Sequence, residues 1–300
     1  MNNIHEYYDR IPMLKDIPVA EITAERLGGL TNLVYCLTYK NQKKLLRVPG
    51  SGTSEFINRQ NEKHDAMVAA NSGVSAKVFF FDSSDGLMLS EFIEGDTLNE
   101  ERFRNLGSVK RSGEALRQIH QHSEKFKNRF DVFEKIDEYL ALVKKLNAKV
   151  PEGYEMVKSE AKKIRSVLEA NPADLVPCHC DPLAENFIDN GEKVFIIDWE
   201  YAGNNDPMWD LGDLSVEANF GPEQDKALLE SYFAGPPPKD QASRMVIYKV
   251  LCDLLWTLWG VVQHANNNPV DDFWSYSVGR FERCKSLISQ ADFKDQLTAI

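Results

Sequence analysis

Alternation of apolar and polar positions dominates the first third of the chain, and helical periodicity takes over after it. Residues 21–40 alternate around Gly28-Gly29 and predict a β-hairpin. Lys44-Leu45-Leu46-Arg47-Val48 predicts a short strand, stopped by Pro49-Gly50. Residues 54–70 read as a helix with Ser54 as its N-cap, ended by Asn71-Ser72-Gly73. Residues 77–81 and 87–92 predict two further strands around the turn Asp82-Ser83-Ser84-Asp85-Gly86. This order builds a small antiparallel sheet with one helix inserted.

Beyond Glu94-Gly95-Asp96 the pattern changes. Residues 109–122, 132–146 and 154–169 are long, charged and helically periodic. Residues 187–188 and 194–197 predict a short strand pair joined by Asp189-Asn190-Gly191-Glu192. Helices then continue to the C-terminus, with Gly235-Pro236-Pro237-Pro238 as a rigid break between two of them. The most apolar window, 246–262, contains Lys249 and Asp253 and so reads as a buried helix instead of a membrane span. The expected fold class is α+β in two lobes: a sheet lobe over residues 1–95 and a larger, mainly helical lobe over 96–300. No long linker separates them, so the expected arrangement is one compact unit around a cleft.

Composition narrows the partners. The net charge of −11 over 300 residues argues against nucleic acid, which needs a basic face, and mildly favours a cationic ligand. The five cysteines form no C-x-x-C pair and read as reduced thiols. Met1-Asn2-Asn3-Ile4-His5-Glu6 has no basic or apolar region of a leader, so the expectation is a cytoplasmic protein without membrane insertion. Oligomeric state has no signature here.

The most informative stretch is His179-Cys180-Asp181-Pro182-Leu183-Ala184-Glu185-Asn186, with Asp198 at the end of the next hairpin. His-x-Asp, four residues, Asn, then Asp is an arrangement for phosphoryl transfer. In-line transfer needs a group that orients the attacking hydroxyl, and cations that neutralise the phosphates. Asp181 suits the first task. Asn186 and Asp198 offer hard oxygen ligands suited to Mg²⁺. Asp and Asn also populate ordinary turns. Here, however, Asp198, Glu200, Asp206 and Asp210 crowd one segment, and carboxylates near Asp181 would repel one another without a cation among them.

Further motifs supply the rest of a kinase site. Gly28, Gly29, Thr31 and Asn32 lie on the first hairpin, where backbone amides and small polar groups can approach phosphates; an ordinary tight turn has the same composition. Arg47 on the next strand, with Glu62 on the following helix, matches a phosphate-facing cation held by an acid; a strand-end arginine is the plain alternative. Residues 89–95, with Glu91 and Ile93, run into the lobe boundary, where a kinase hinge gives backbone hydrogen bonds to adenine. Trp256 and Trp259 lie at i, i+3, with Tyr276 on the next helix, and such spacing also suits a core. Asp253 one turn before Trp256, and Glu217 after the acidic segment, add carboxylates to the aromatic faces. That combination suits a quaternary ammonium.

With these residues the chain resembles the choline/ethanolamine kinases, within the aminoglycoside-phosphotransferase-like branch of the protein-kinase fold. The resemblance spans about residues 20–285. Gly28-Gly29-Leu30-Thr31-Asn32 is similar to that family's nucleotide loop, and Leu45-Leu46-Arg47 to its phosphate-binding strand. His179-x-Asp181 to Asn186 is similar to its catalytic loop, and Ile197-Asp198-Trp199-Glu200-Tyr201-Ala202 to its metal-binding segment. The resemblance implies that Asp210 in Trp209-Asp210-Leu211-Gly212 braces the catalytic loop. It implies that Tyr201, Trp256, Trp259 and Tyr276 line an ammonium pocket, with Glu200 and Glu217 on the substrate side. It also implies ATP and Mg²⁺ as cofactors and choline as the acceptor. Cys180 departs from the Asn or Arg often found between the His and Asp of the loop. The alternatives are ethanolamine, thiamine or an aminoglycoside as acceptor, or a binding module that keeps the fold without transfer.

Overall fold

The structure, a computed structural model, describes residues 4–28, 32–50 and 57–300. Strands β1 (Thr23–Gly28), β2 (Leu33–Tyr39), β3 (Gln42–Val48), β4 (Val78–Asp82) and β5 (Leu87–Glu91) form one antiparallel sheet in the order β1-β2-β3-β5-β4. The β2–β3 register closes on Tyr39 opposite Gln42, with Lys40 and Asn41 at φ of 47° and 61° between them. Two left-handed residues give a hairpin turn whose twist matches its strands. Side chains alternate along β3. Leu46 and Val48 pack with Leu37, Leu87 and Leu89 on one face, where Tyr8, Ile11 and Leu14 of the N-terminal segment cover them. Arg47 is left on the other face, toward the second lobe.

Helix α1 (Arg59–Ser72) starts later than the sequence suggests, and Ser54 lies outside the described residues. The cap is Asn58, whose side chain accepts the Gln60 and Asn61 N–H groups, both at 3.1 Å. The helix ends as expected on Gly73 at φ 83°, a left-handed cap that favours glycine.

The rest is built on helices α2 (Leu106–His120), α3 (Val132–Lys145), α4 (Tyr154–Ala170), α5 (Pro207–Glu217), α6 (Pro222–Phe233), α7 (Lys239–Ala265), α8 (Phe273–Ile288) and α9 (Phe293–Thr298). Between them lie short strands β6 (Asp96–Thr97), β7 (Val176–Cys178), β8 (Phe187–Asp189), β9 (Val194–Ile196) and β10 (Gly203–Asn205). They pair as β6-β8-β9 and β7-β10. With two or three residues each, β6, β7 and β10 carry too little alternation to be read from sequence. Together with the helices they make the second, mainly helical lobe.

Helix α7 is apolar and long enough by composition to cross a membrane, yet 78% of its most apolar window is buried inside the fold. It packs against α5 and α8 and forms the centre of the core. The start of α5 is fixed to it: Asp206 caps α5 through the Met208 N–H at 2.9 Å, and its other oxygen accepts Arg244 Nε at 2.8 Å and the Tyr248 hydroxyl at 3.0 Å. Gly260 lets α8 approach closely, since a Cβ there would stand 2.8 Å from the Tyr276 ring.

Candidate active site

Strand β7 delivers the 179–186 loop, and one carboxylate holds the start of that loop. Asp210 of α5 is fully buried and accepts the backbone N–H of His179 at 2.7 Å and of Cys180 at 2.9 Å. It also accepts His120 Nε2 from α2 at 3.0 Å, and His120 Nδ1 meets the Tyr232 hydroxyl at 3.0 Å. Trp209 Nε1 donates to the Cys180 carbonyl at 3.1 Å. These bonds hold Cys180 at φ 67°, a conformation a non-glycine residue adopts only when its surroundings impose it. The Cys180 side chain is fully buried and its thiol is pushed well up by burial, so it packs beneath the loop.

The same loop is tied to the segment that bears Asp198. His179 Nε2 donates to the Ile197 carbonyl at 2.8 Å, and burial lowers the His179 pKa. The Ile197 N–H donates to the Asn186 carbonyl at 2.9 Å. Asn186 Nδ2 donates to the Asp181 carbonyl at 3.2 Å, so its acceptor oxygen is the end of the amide left for a cation. Asp198 sits at φ 68°, and its side chain is 37% exposed to the cleft.

Carboxylates converge here. Burial, then Glu217, Asp198 and Glu200, push the Asp181 carboxyl well above the usual carboxylate range; Arg280 opposes this. Burial and then Asp198 push Glu200 up to about 7. Such crowding of acids around a half-exposed carboxylate and a neutral amide oxygen fits a divalent cation with hard oxygen ligands.

On the sheet side, Arg47 is 5% exposed, so it is not an exposed strand-end arginine. Its guanidinium pairs with Glu62, donates to the Gly86 carbonyl at 3.1 Å and reaches Asp198 at 3.5 Å. Arg59, at the start of α1, pairs with the other oxygen of Glu62 at 2.6 Å and with Glu200 at 3.5 Å. Asn32 Nδ2 donates to Glu200 at 3.3 Å. Glu200 was expected on the substrate side, but the structure groups it with Arg59 and Asn32. Its side chain is only 5% exposed and faces guanidinium and amide donors. Gly29 and Thr31 lie outside the described residues, and Gly28 ends β1 where the β1–β2 register shifts. Toward the hinge, the Glu91 N–H is already bonded to the Lys77 carbonyl at 2.8 Å, and Ile93 is half-buried.

The aromatic residues form a contiguous group. Trp259 meets Trp256 edge-on at 6.2 Å between centroids, Tyr276 at 5.6 Å and Phe273 at 5.3 Å. Tyr276 is close enough to Asp181 and Glu217 for both to raise its phenol, although burial is the larger cause. Tyr201 is 38% exposed and is raised first by burial, then by Glu200 and Asp181.

Two carboxylates expected to be open to a ligand are already paired. Glu217 binds Arg280, whose guanidinium stands 4.9 Å from the Tyr276 ring centroid. Asp253 is fully buried, accepts two bonds from Arg283 at 2.7 and 2.6 Å, and lies 3.3 Å from Arg280. A buried carboxylate without such partners would be costly, which explains the arginines. Arg280, Arg283, Arg59 and His120 escaped the sequence reading. Arg280 and Arg59 left a faint signal, at i+4 from Tyr276 and i−3 from Glu62, because those spacings share a helix face.

The chain is similar to several known proteins. The family model described as choline/ethanolamine kinase matches residues 24–227. The chain is 47% identical to a choline/ethanolamine kinase family protein of Mesorhizobium loti, with a TM-score of 0.90 over 98% of this chain and 96% of that one. It is 31% identical to the choline kinase LicA of Streptococcus pneumoniae, with a TM-score of 0.73 over 89% of this chain and 94% of that one. Protein LicA of Haemophilus influenzae is 26% identical over 276 residues, covering 88% of this chain and 79% of the relative.

Proposed function

The chain belongs to the choline/ethanolamine kinase family and is a phosphotransferase with an alcohol as acceptor, and from that premise we propose that it transfers the γ-phosphoryl group of MgATP to the hydroxyl of choline. The observation that carries this reading is the position of Asp181. Its carboxyl is within electrostatic reach of Asp198 and Glu200, and also of Glu217 and of Tyr276 in the aromatic group. A hydroxyl on a substrate held by the aromatic group would therefore lie near both Asp181 and the acids around Asp198.

In this reading residues 1–95 and 96–300 are the two lobes. Asp181 orients the choline hydroxyl and takes its proton late in the transfer. His179 and Asp210 hold that carboxylate in place through the loop backbone. Asn186 and Asp198 hold the magnesium ion, which when bound neutralises phosphate charge. Arg47, kept rigid by Glu62, faces the phosphates together with residues 28–32. The Ile93 N–H and the Glu91 carbonyl, whose own N–H is spent on the sheet, serve the adenine edge.

Trp256, Trp259, Tyr276 and Tyr201 present ring faces to the trimethylammonium, at about 0.5–2 kcal/mol per ring. Ethanolamine would want hydrogen-bond acceptors for its three N–H groups. The pairing of Glu217 with Arg280 and of Asp253 with Arg283 takes up the acceptors that a primary amine would need. An ADP-release assay with Mg²⁺ across choline, ethanolamine, thiamine and kanamycin tests the reading. The expected result is the highest kcat/KM on choline. A higher value on ethanolamine transfers the assignment to that alcohol.

A further inference from the structure

Helix α5 carries a second acid one turn before Glu217. Asp213 is fully buried. Its Oδ1 accepts the thiol hydrogen of Cys252 from α7 at 2.7 Å, and burial pushes that thiol well up, so it remains a donor. Among the described residues its Oδ2 has no hydrogen-bond partner. The Asp213 and Glu217 carboxylate oxygens and the Cys252 sulfur lie within 4.8 Å of one another. The groups that face Asp213 are Glu217 on its own helix, Asp181 and the Cys180 thiol from the 179–186 loop, Cys252 from α7 and Arg280 from α8. Arg280 is the one cation among them, and its guanidinium is engaged by Glu217 and Asp253.

An ionised Asp213 would be a fully buried anion beside other carboxylates, with one oxygen unpartnered among the described residues and Arg280 engaged by Glu217 and Asp253. That arrangement is strongly unfavourable. A neutral Asp213 removes the penalty, since Oδ1 keeps the thiol bond and the acid proton sits on the oxygen that otherwise has no partner. Burial, and after it Glu217 and Asp181, act in the same direction on this carboxyl.

We infer that Asp213 is a proton-carrying positioning residue which fixes the charge of the acceptor pocket. With Asp213 neutral, the two carboxylates Glu217 and Asp253 face the two guanidinium groups Arg280 and Arg283, and this side of the pocket is electrically balanced. A balanced surface with aromatic faces suits a quaternary ammonium, which has no N–H to donate. One more negative charge would suit a primary amine. The inference rests on the reading that Glu217 and Tyr276 face the substrate ammonium.

The first test needs no substrate. Infrared difference spectroscopy on the full chain at neutral pH should show a protonated carboxylic acid C=O band that disappears in Asp213→Asn. Absence of that band in the wild type overturns the inference. The second test compares KM for choline and for its neutral isostere 3,3-dimethylbutan-1-ol. Asparagine reproduces the shape and neutrality of the protonated acid, so Asp213→Asn should hold the choline KM within about threefold of wild type. A rise of about tenfold for choline alone would show that Asp213 supplies negative charge, and would sink the idea. One equivalent of divalent metal in the purified wild type, lost in Asp213→Asn, would also overturn it. If the wild type phosphorylates no cationic alcohol, the choline reading falls, and the infrared band still decides the proton.

Discussion

The two sides of the cleft use arginine for opposite ends. On the sheet side, Arg47 and Arg59 share Glu62 and turn toward Asp198 and Glu200, at the edge of the cleft. On the helical side, Arg280 and Arg283 point into Glu217 and Asp253 and are neutralised within the fold. The first pair is tied to carboxylates too, but one of these, Asp198, is 37% exposed in the cleft. The second pair cancels negative charge and leaves ring faces to recognise a cation. The difference teaches that similar ion pairs serve different ends according to whether a member reaches the cleft, as Asp198 does, or is closed in the fold, as Asp253 is, and the count of charged residues does not reveal it.

The strongest way to break that contrast is at the metal-facing carboxylate. Asp198→Ala removes the cleft-exposed acid, and kcat in an ADP-release assay should fall by about a thousandfold or more. Unchanged turnover would remove Asp198 from the metal set. Arg47→Ala comes next. Its expected effect is a rise in KM for ATP of about a hundredfold, equivalent to about 3 kcal/mol for a lost charged contact, with KM for choline nearly unchanged. Equal rises in both constants would mean that Arg47 supports the whole cleft and not the phosphate side.

On the opposite side, Trp256→Ala should raise KM for choline by about tenfold, with a smaller rise for ethanolamine. Equal effects on the two alcohols would remove the cation–π argument. The smallest effect belongs to a pair outside the cleft. Burial alone would raise Asp189, but Arg111, Ser108 and the Gly191 N–H together hold its carboxyl below its ordinary value. Such a group gives stability that is fully present above its unfolded pKa of about 3.9 and is lost as pH falls through the lower folded value. Arg111→Ala should therefore lower Tm at neutral pH by a few degrees, about 1–3 kcal/mol, and flatten the loss of stability below about pH 4. An unchanged acid slope would place Asp189 outside the acid response.

The order of elements was legible in the sequence because long periodic segments fix element type, and the grouping of Arg47 with Glu62 was legible because both fall in recognisable places. The cap of α1 was misplaced, Ser54 for Asn58, since both are good caps and only packing chooses between them. The charge balance of the helical side was not legible. Arg280 lies 63 residues from Glu217 and 27 from Asp253, and His120 lies 90 from Asp210, so these pairings exist only once the chain is folded. The contacts of Glu200 were not legible for the same reason. Its sequence neighbours Asp198 and Tyr201 point to the acceptor, while its contacts are Asn32 and Arg59, 168 and 141 residues away.

The clamp made by Asp210 has a consequence for motion. The amides of His179 and Cys180 end on a carboxylate with no solvent access, in the centre of the helical lobe. Those two amide hydrogens should exchange with deuterium only when the whole lobe opens, on the slowest timescale of the protein. The exchange map should therefore show the 179–180 amides among the most protected of the chain, a stationary anvil on which the site is built.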